Sequence, residues 1–381
     1  MFVLLALLVP GVAQAADAAD PVLLDVTRAL ALSNAELVSM GGAGVAYAAG
    51  GAGLFLSPAA PANRRMEATA PVITSLLLLQ TSIAPARDVG NLGEPLGEDG
   101  RLFSLALSGG YQNVAGGLLT AGAWYATDDL WVGTAEGHAS AAVSLFEGQL
   151  TLGIGPRFLG MRVTANGEPR DYLGIGVETG AVLANWRDSW NVGVTLRSGV
   201  SAGPTDGAAG GIAAARIAPE LIVGLGWSNR SYLRDYQGGI PVRFVADVQV
   251  NAPVANSVSL EKVLQGEEVT RGGWYTAAPR IGAEVDVWPS RLRLRAGAYL
   301  EPSRTSLTGP RPHATGGFEV RLFRLKAFNQ RIKLDLAWQV GVDYAPRYFR
   351  GAFLGINIWQ EGQVGGQYKP NAPRGELIEV Q

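Results

Sequence analysis

The chain has 381 residues, of which 51 are glycine, about 13% against a usual share near 7%. Each glycine inside a helix costs roughly 1 kcal/mol, so this composition excludes a largely helical protein, and no Gly-X-Y period points to collagen. Charged residues make up 17% and hydrophobic ones 48%, the formal net charge is −2 and cysteine is absent, which argues against nucleic acid as a partner and excludes disulfides and a cysteine nucleophile. With His138 and His313 as the two histidines, a multi-histidine metal centre cannot form, and neither metal nor cofactor is expected.

The N-terminus reads as an export signal. Residues 2–9 are an unbroken apolar run, and Ala13-Gln14-Ala15 gives an A-x-A cleavage pattern, so residues 1–15 are expected to be a secretory signal peptide, although no basic residue precedes Arg28. The alternative, an uncleaved anchor, meets a run shorter than the ~20 residues that a helix needs to span a bilayer. Residues 16–65 follow as a separate piece, with a helix-like stretch over 27–40 and then a glycine-rich stretch over 41–62. Six glycines with Pro58 and Pro61 make the second stretch a poor transmembrane helix, and its length fits a plug.

Beyond residue 65 the sequence alternates. Leu292, Leu294, Ala296, Ala298 and Leu300 share one face, opposite Arg291, Arg293, Arg295 and Tyr299. Leu336, Trp338, Val340, Val342 and Tyr344 oppose Asp335, Gln339 and Asp343, and Phe244, Ala246 and Val248 oppose Arg243, Asp247 and Gln249. A soluble β-sandwich alternates too, but several of these runs reach the 9–11 residues of a tilted membrane-spanning strand, above the usual ~5–6. Fourteen segments emerge: 66–79, 101–112, 114–126, 136–147, 149–163, 171–184, 189–201, 216–228, 240–251, 272–288, 291–300, 312–325, 331–344 and 348–359. Short turns such as 147–149 and 289–290 alternate with longer polar ones such as 88–100, 202–215 and 253–271. An even strand number and unequal loops are those of an outer-membrane barrel, so the expected fold is an all-β transmembrane antiparallel β-barrel over 66–359 with an N-terminal plug. Residues 360–381 read as a flexible periplasmic tail.

The string Met40-Gly41-Gly42-Ala43-Gly44-Val45-Ala46, followed by Leu54-Phe55-Leu56-Ser57-Pro58-Ala59, resembles the N-terminal signature of the FadL family of outer-membrane transporters and of PorV-like proteins. Those read M-G-G-A-G-x-A and then L-F-x-N-P-A, and Ser57 stands here in place of the asparagine. The resemblance implies a fourteen-stranded barrel in the outer membrane of a Gram-negative bacterium, with residues 16–65 folded inward as a hatch, and passage of small hydrophobic molecules such as fatty acids. Gly41, Gly42, Gly44, Ser57 and Pro58 are then the hatch and gating positions, and a static plug is the alternative. Glycines over 109–117 are the candidate for a kink that opens the wall.

Basic side chains facing lipid at mid-depth would cost about 2–4 kcal/mol each, so Arg243, Asp247, Glu284, Arg291, Arg293, Arg295 and Arg321 are expected to face the lumen. There they either anchor the hatch and a ligand head group or form ion pairs that stiffen the wall. No enzyme is expected: neither histidine lies near a G-x-S-x-G elbow, and His313, after two prolines, reads as a solvated or loop-packed side chain. Two functions stay open, a channel for hydrophobic molecules in contact with outer-membrane lipid, and a PorV-like scaffold for envelope protein partners.

Overall fold

In the computed structural model, the described residues are 22–27, 33–63, 72–84, 91, 101–111, 113–126, 130–165, 168–185, 189–205, 212–229, 240–264, 269–288, 291–327, 332–346 and 349–362. The expected signal peptide, residues 66–71, most of the 88–100 loop and the tail from 363 onward lie outside them. Strands β1 (Val22–Asp25), β2 (Val72–Ala84), β3 (Arg101–Tyr111), β4 (Val114–Ala126), β5 (Leu130–Leu145), β6 (Leu150–Ala165) and β7 (Glu168–Asn185) come first. They are followed by β8 (Trp190–Arg197), β9 (Val200–Pro204), β10 (Ile212–Ile217), β11 (Glu220–Ser228), β12 (Val242–Asn251), β13 (Ser257–Ser259) and β14 (Thr270–Arg271). The last five are β15 (Thr276–Trp288), β16 (Leu292–Glu301), β17 (Arg311–Ala327), β18 (Ile332–Ala345) and β19 (Phe349–Gly362).

Strands β2 to β8 pair in sequence, β8 pairs with β11, β12 with β15, and β19 pairs back onto β2, every pair antiparallel. The result is a closed barrel, and each of the fourteen expected segments overlaps one of its strands. Closure leaves no sheet edge, and alternation sorts the faces. On β7 the outward Leu173, Ile175 and Val177 are 63%, 66% and 53% exposed, whereas the inward Glu178 is fully buried. Val248, Leu294 and Val342 point outward while Asp247, Arg293, Arg295 and Asp343 are buried, as alternation requires. The start of β2 and the end of β19 share one end of the barrel, called here the near end; β2, β8, β12 and β16 end, and β3, β11, β15 and β17 begin, at the far end.

Two expectations need correction at the far end. The segments 189–201 and 216–228 do not run unbroken: β8 stops at Arg197, and β9 and β10 turn off into a small sheet, ordered β9–β10–β1–β13–β14 and joined to the barrel where β9 pairs with β7. Pro219 supplies the reason. It has no N–H to extend a ladder, and it stands against Gly199, where an added Cβ would lie 3.1 Å from its ring. Among the described residues of the expected helix over 27–40, α1 (Ala35–Ser39) alone is helical, and Asn34 caps its start by accepting a hydrogen bond from the Leu37 amide at 2.9 Å. Ahead of it, β1 is held in parallel between β10 and β13.

Residues 33–63 lie within the ring. Helix α1 packs on β16, β17 and β18, the turn Val45–Tyr47 packs on β7, β8 and β11, and α2 (Gly50–Gly53) packs on β2, β3 and β4. Contacts on three sides of a closed barrel bury nearly every residue of this segment. The wall is not uniformly laced. Ala139 and Ser140 of β5 stand opposite Gly155 and Pro156 of β6 unpaired, between the pairs His138–Arg157 and Ala141–Ile154. Pro156 lacks a donor, and a Cβ at residue 155 would collide with the Ala139 carbonyl. The β2–β3 ladder is also short, Leu78–Thr81 against Phe103–Ala106. By contrast, the glycines over 109–117 sit in the β3–β4 hairpin, whose register runs without a shift from Arg101–Trp124 to Tyr111–Val114, so they do not interrupt the pairing there.

Candidate functional site: the barrel lumen

Toward the far end the lumen is apolar. Leu102, Tyr125, Leu159, Met161, Ile217 and Phe353, projecting from five different strands, form one buried cluster with Leu24 and Leu260 of the far-end structure. The small sheet above it is pinned by charge. The Asp25 carboxylate, fully buried, accepts a hydrogen bond from Arg304 Nε at 2.8 Å and lies 3.7 Å from Arg271 Nε. Burial pulls the Arg304 guanidinium below its ordinary value, and Asp25 opposes that shift.

Below the apolar cluster the inner segment meets the wall. Gly41 and Gly42 carry φ of +65° and +71° and Gly44 of +136°, backbone states that L side chains rarely adopt. A Cβ on Gly41 would lie 2.7 Å from the Ala298 carbonyl and 2.8 Å from that of Ile281, so the segment presses backbone against β15 and β16. Asp247 holds the next residues: its Oδ2 accepts hydrogen bonds from the Gly44 and Val45 amides at 2.7 and 2.9 Å. Ser57, fully buried, accepts from the Ala59 amide at 3.2 Å, and Pro58 lies against Gly153 and Gly180. The Tyr47 phenol is pushed up to about 12 by burial, against the pull of Arg243, and donates to the Ser189 carbonyl at 3.2 Å.

The sequence-derived charges gather in one network. Arg295 Nε donates to Glu284 at 2.7 Å and its Nη2 to Glu319 at 2.9 Å, while Arg243 lies 3.0 Å from Glu284. Both arginines reach Glu36 of α1 at 3.9 Å. Arg293 pairs with Asp286 at 2.8 Å and with Glu319 at 3.5 Å. These residues therefore join wall to wall and wall to inner segment. Arg321 stands apart, 3.9 Å from Asp335, and Arg291 lies exposed in the turn before β16 rather than in the lumen. Arg295→Met would take one charged partner from each of two buried carboxylates, Glu284 and Glu319, and a loss of about 3–5 kcal/mol in denaturant titrations is the expected result.

A second network was not singled out from the sequence. His138 Nδ1 lies 3.0 Å from Glu178 Oε2, which also accepts from Arg197 Nε at 3.0 Å. Arg197 donates further to Glu220 at 2.7 Å and to the Phe55 carbonyl at 2.7 Å. Glu220 and Gln249 are hydrogen-bonded at 2.5 Å, and Gln249 bonds Arg280, whose Nη1 reaches the Gly42 carbonyl at 3.3 Å. Arg157 pairs with Glu136 at 3.0 Å. Nε and Nη1 of Arg157 and Nε of Arg280 make no hydrogen bond, and both side chains line a cavity of about 70 Å³ with Phe55, Leu56 and Ile217. His313, expected to be solvated or loop-packed, instead lies in β17 and is 3% exposed, set between Asp343 at 2.8 Å and Glu301 at 3.1 Å and stacked on Tyr299. Its parity with Glu319 places it inward, and that was the signal available.

No protein-family model matches the chain, and no curated protein matches it. Solved structures do. The crystal structure of a Pseudomonas aeruginosa FadL homologue aligns with a TM-score of 0.52 at 12% identity, covering 86% of this chain and 96% of that one. The Ralstonia pickettii toluene transporter TbuX aligns with a TM-score of 0.51 at 12% identity, covering 87% and 98%. This chain thus has the barrel fold of these two proteins.

Proposed function

We propose that the chain is an outer-membrane channel for small hydrophobic molecules, fatty acids among them, which enter at the far end and leave sideways through the wall between β5 and β6. The observation that carries this reading is the pairing of an apolar lumen with an unlaced seam. Straight passage to the near end would break buried ion pairs such as Arg295–Glu284, at about 3–5 kcal/mol each. Parting β5 from β6 begins where two ladder steps are already missing, and each remaining bond is worth only about 0.5–1.5 kcal/mol. Outside the seam, Leu118, Ala141, Ile154, Pro156, Ile175 and Val177 line an apolar recess of about 760 Å³ that faces the acyl chains in this reading. The idle donors of Arg157 and Arg280 suit a carboxylate head group below the apolar cluster, a role that Arg293 and Arg295, already paired, fill less well.

Membrane seating accords with the aromatic residues. Trp190, Trp227 and Phe244 stand side by side near one end, and Phe103, Trp124 and Trp131 near the other. Val248→Arg and Leu294→Arg should each cost about 2–4 kcal/mol in lipid vesicles, and Ile240→Arg, just ahead of β12, about 0–1. Equal losses at the three positions would contradict this seating. Uptake of a labelled long-chain fatty acid and of toluene by cells with and without the protein tests the function. Unchanged uptake, with other envelope proteins retained on the purified barrel, would favour the scaffold.

A further inference from the structure

We propose that Arg197 is a positioning residue that couples the inner segment to the β5–β6 seam, so that displacement of the segment loosens the wall. The inference rests on the sideways route proposed above. Three hydrogen bonds connect the two places: Phe55 carbonyl to Arg197 Nη2 at 2.7 Å, Arg197 Nε to Glu178 Oε2 at 3.0 Å, and Glu178 Oε2 to His138 Nδ1 at 3.0 Å. His138 is the last paired residue of β5 before the seam, and its partner Arg157 is the last on β6. Glu178 and Arg197 are likewise the last pair of the β7–β8 ladder. The chain of bonds therefore ends where pairing ends, on four adjacent strands.

Glu178 has the form of a two-position element. One oxygen, Oε2, takes both bonds while Oε1 takes none, and the side chain is fully buried. When Leu54 and Phe55 move away, Arg197 loses two of its four partners inside the protein, and a guanidinium that shifts to recover a partner draws Glu178 with it. Rotation of Glu178 then releases His138, and with it the pair that borders the seam. A buried charge that loses a partner is costly, which makes the coupling stiff rather than incidental.

The test uses the whole barrel in lipid nanodiscs without cargo, following backbone amide exchange by mass spectrometry. Arg197→Gln should raise exchange across residues 138–142 and 153–157 at least about tenfold and leave β16 to β18 unchanged. Gly41→Val, which displaces the segment, should raise seam exchange in the native background and add little in the Arg197→Gln background, because the connection is already cut. Glu178→Gln, which keeps size and one acceptor, provides the second variant should Arg197→Gln not assemble, and it should also raise seam exchange. Seam exchange unmoved by either variant, or additive effects of Gly41→Val and Arg197→Gln, would overturn the coupling. Fatty-acid uptake is measured separately: a seam that responds in a barrel that takes up nothing would remove the transport reading and leave the coupling standing.

Discussion

Joining β5 to β6 across the seam should stop uptake. The chain has no cysteine, so Ala141→Cys with Ile154→Cys introduces a single pair of thiols at positions that face each other in register. Facing residues of antiparallel strands lie about 4.5–5.5 Å apart at Cα, within the range that a disulfide bridges. Both side chains line the outer recess, so the bond adds nothing to the lumen and should leave the barrel assembled, with the difference between unheated and heated gel mobility that a closed ladder gives. In the oxidised protein, uptake of a hydrophobic probe should fall at least about tenfold, and reduction should restore it. Full uptake through the oxidised barrel would mean that cargo leaves elsewhere, with the short β2–β3 ladder the next place to staple.

The barrel was legible because lipid enforces a simple rule. A strand with lipid on one side and a polar lumen on the other must alternate, and Leu292 to Glu301 or Asp335 to Tyr344 state the rule residue by residue. The far-end sheet was not legible for the opposite reason. Strands such as Thr270–Arg271 and Val22–Asp25 are only two and four residues long, and they pair with segments that no tight turn joins to them, so neither alternation nor a hairpin turn announces them. The site divides in the same way. Alternation placed Arg243, Asp247, Glu284, Arg293 and Arg295 inward, yet it placed Arg291 there too, one residue before the ladder of β16 begins. Glu178 and Arg197 obey the same parity, but their importance lies in which strand neighbours which, and in a backbone carbonyl of Phe55. A linear pattern carries neither. Gly155 and Pro156 were read as ordinary strand residues, although a proline next to a glycine in mid-strand is itself a sign of interrupted pairing.

Substituting Gly41 should open the lumen without dismantling the barrel. Two costs act together at this position. A β-branched side chain resists φ of +65°, and its Cβ would lie 2.7–2.8 Å from the Ala298 amide and carbonyl and the Ile281 carbonyl. Those atoms belong to the β15–β16 ladder, where Ile281 pairs with Ala298, so they cannot yield as a flexible side chain would. The inner segment is the weaker partner. It is held by packing and by side-chain bonds such as Asp247 to the Gly44 and Val45 amides, Arg280 to the Gly42 carbonyl, Arg197 to the Phe55 carbonyl, and Glu36 to its arginines, rather than by the continuous ladder that holds the strands. Gly41→Val should therefore push residues 33–63 off β15 and β16 while the fourteen strands keep their bonds. In planar bilayers, single-barrel ion conductance should rise from near zero to a steady open level, and added protease should cut within 33–63 and spare the strands. Gly41→Ala, with the same Cβ but a smaller side chain, should give a partial effect. A barrel that assembles with Gly41→Val and still conducts nothing would mean that the segment stays in place, and that it is a fixed plug rather than a hatch.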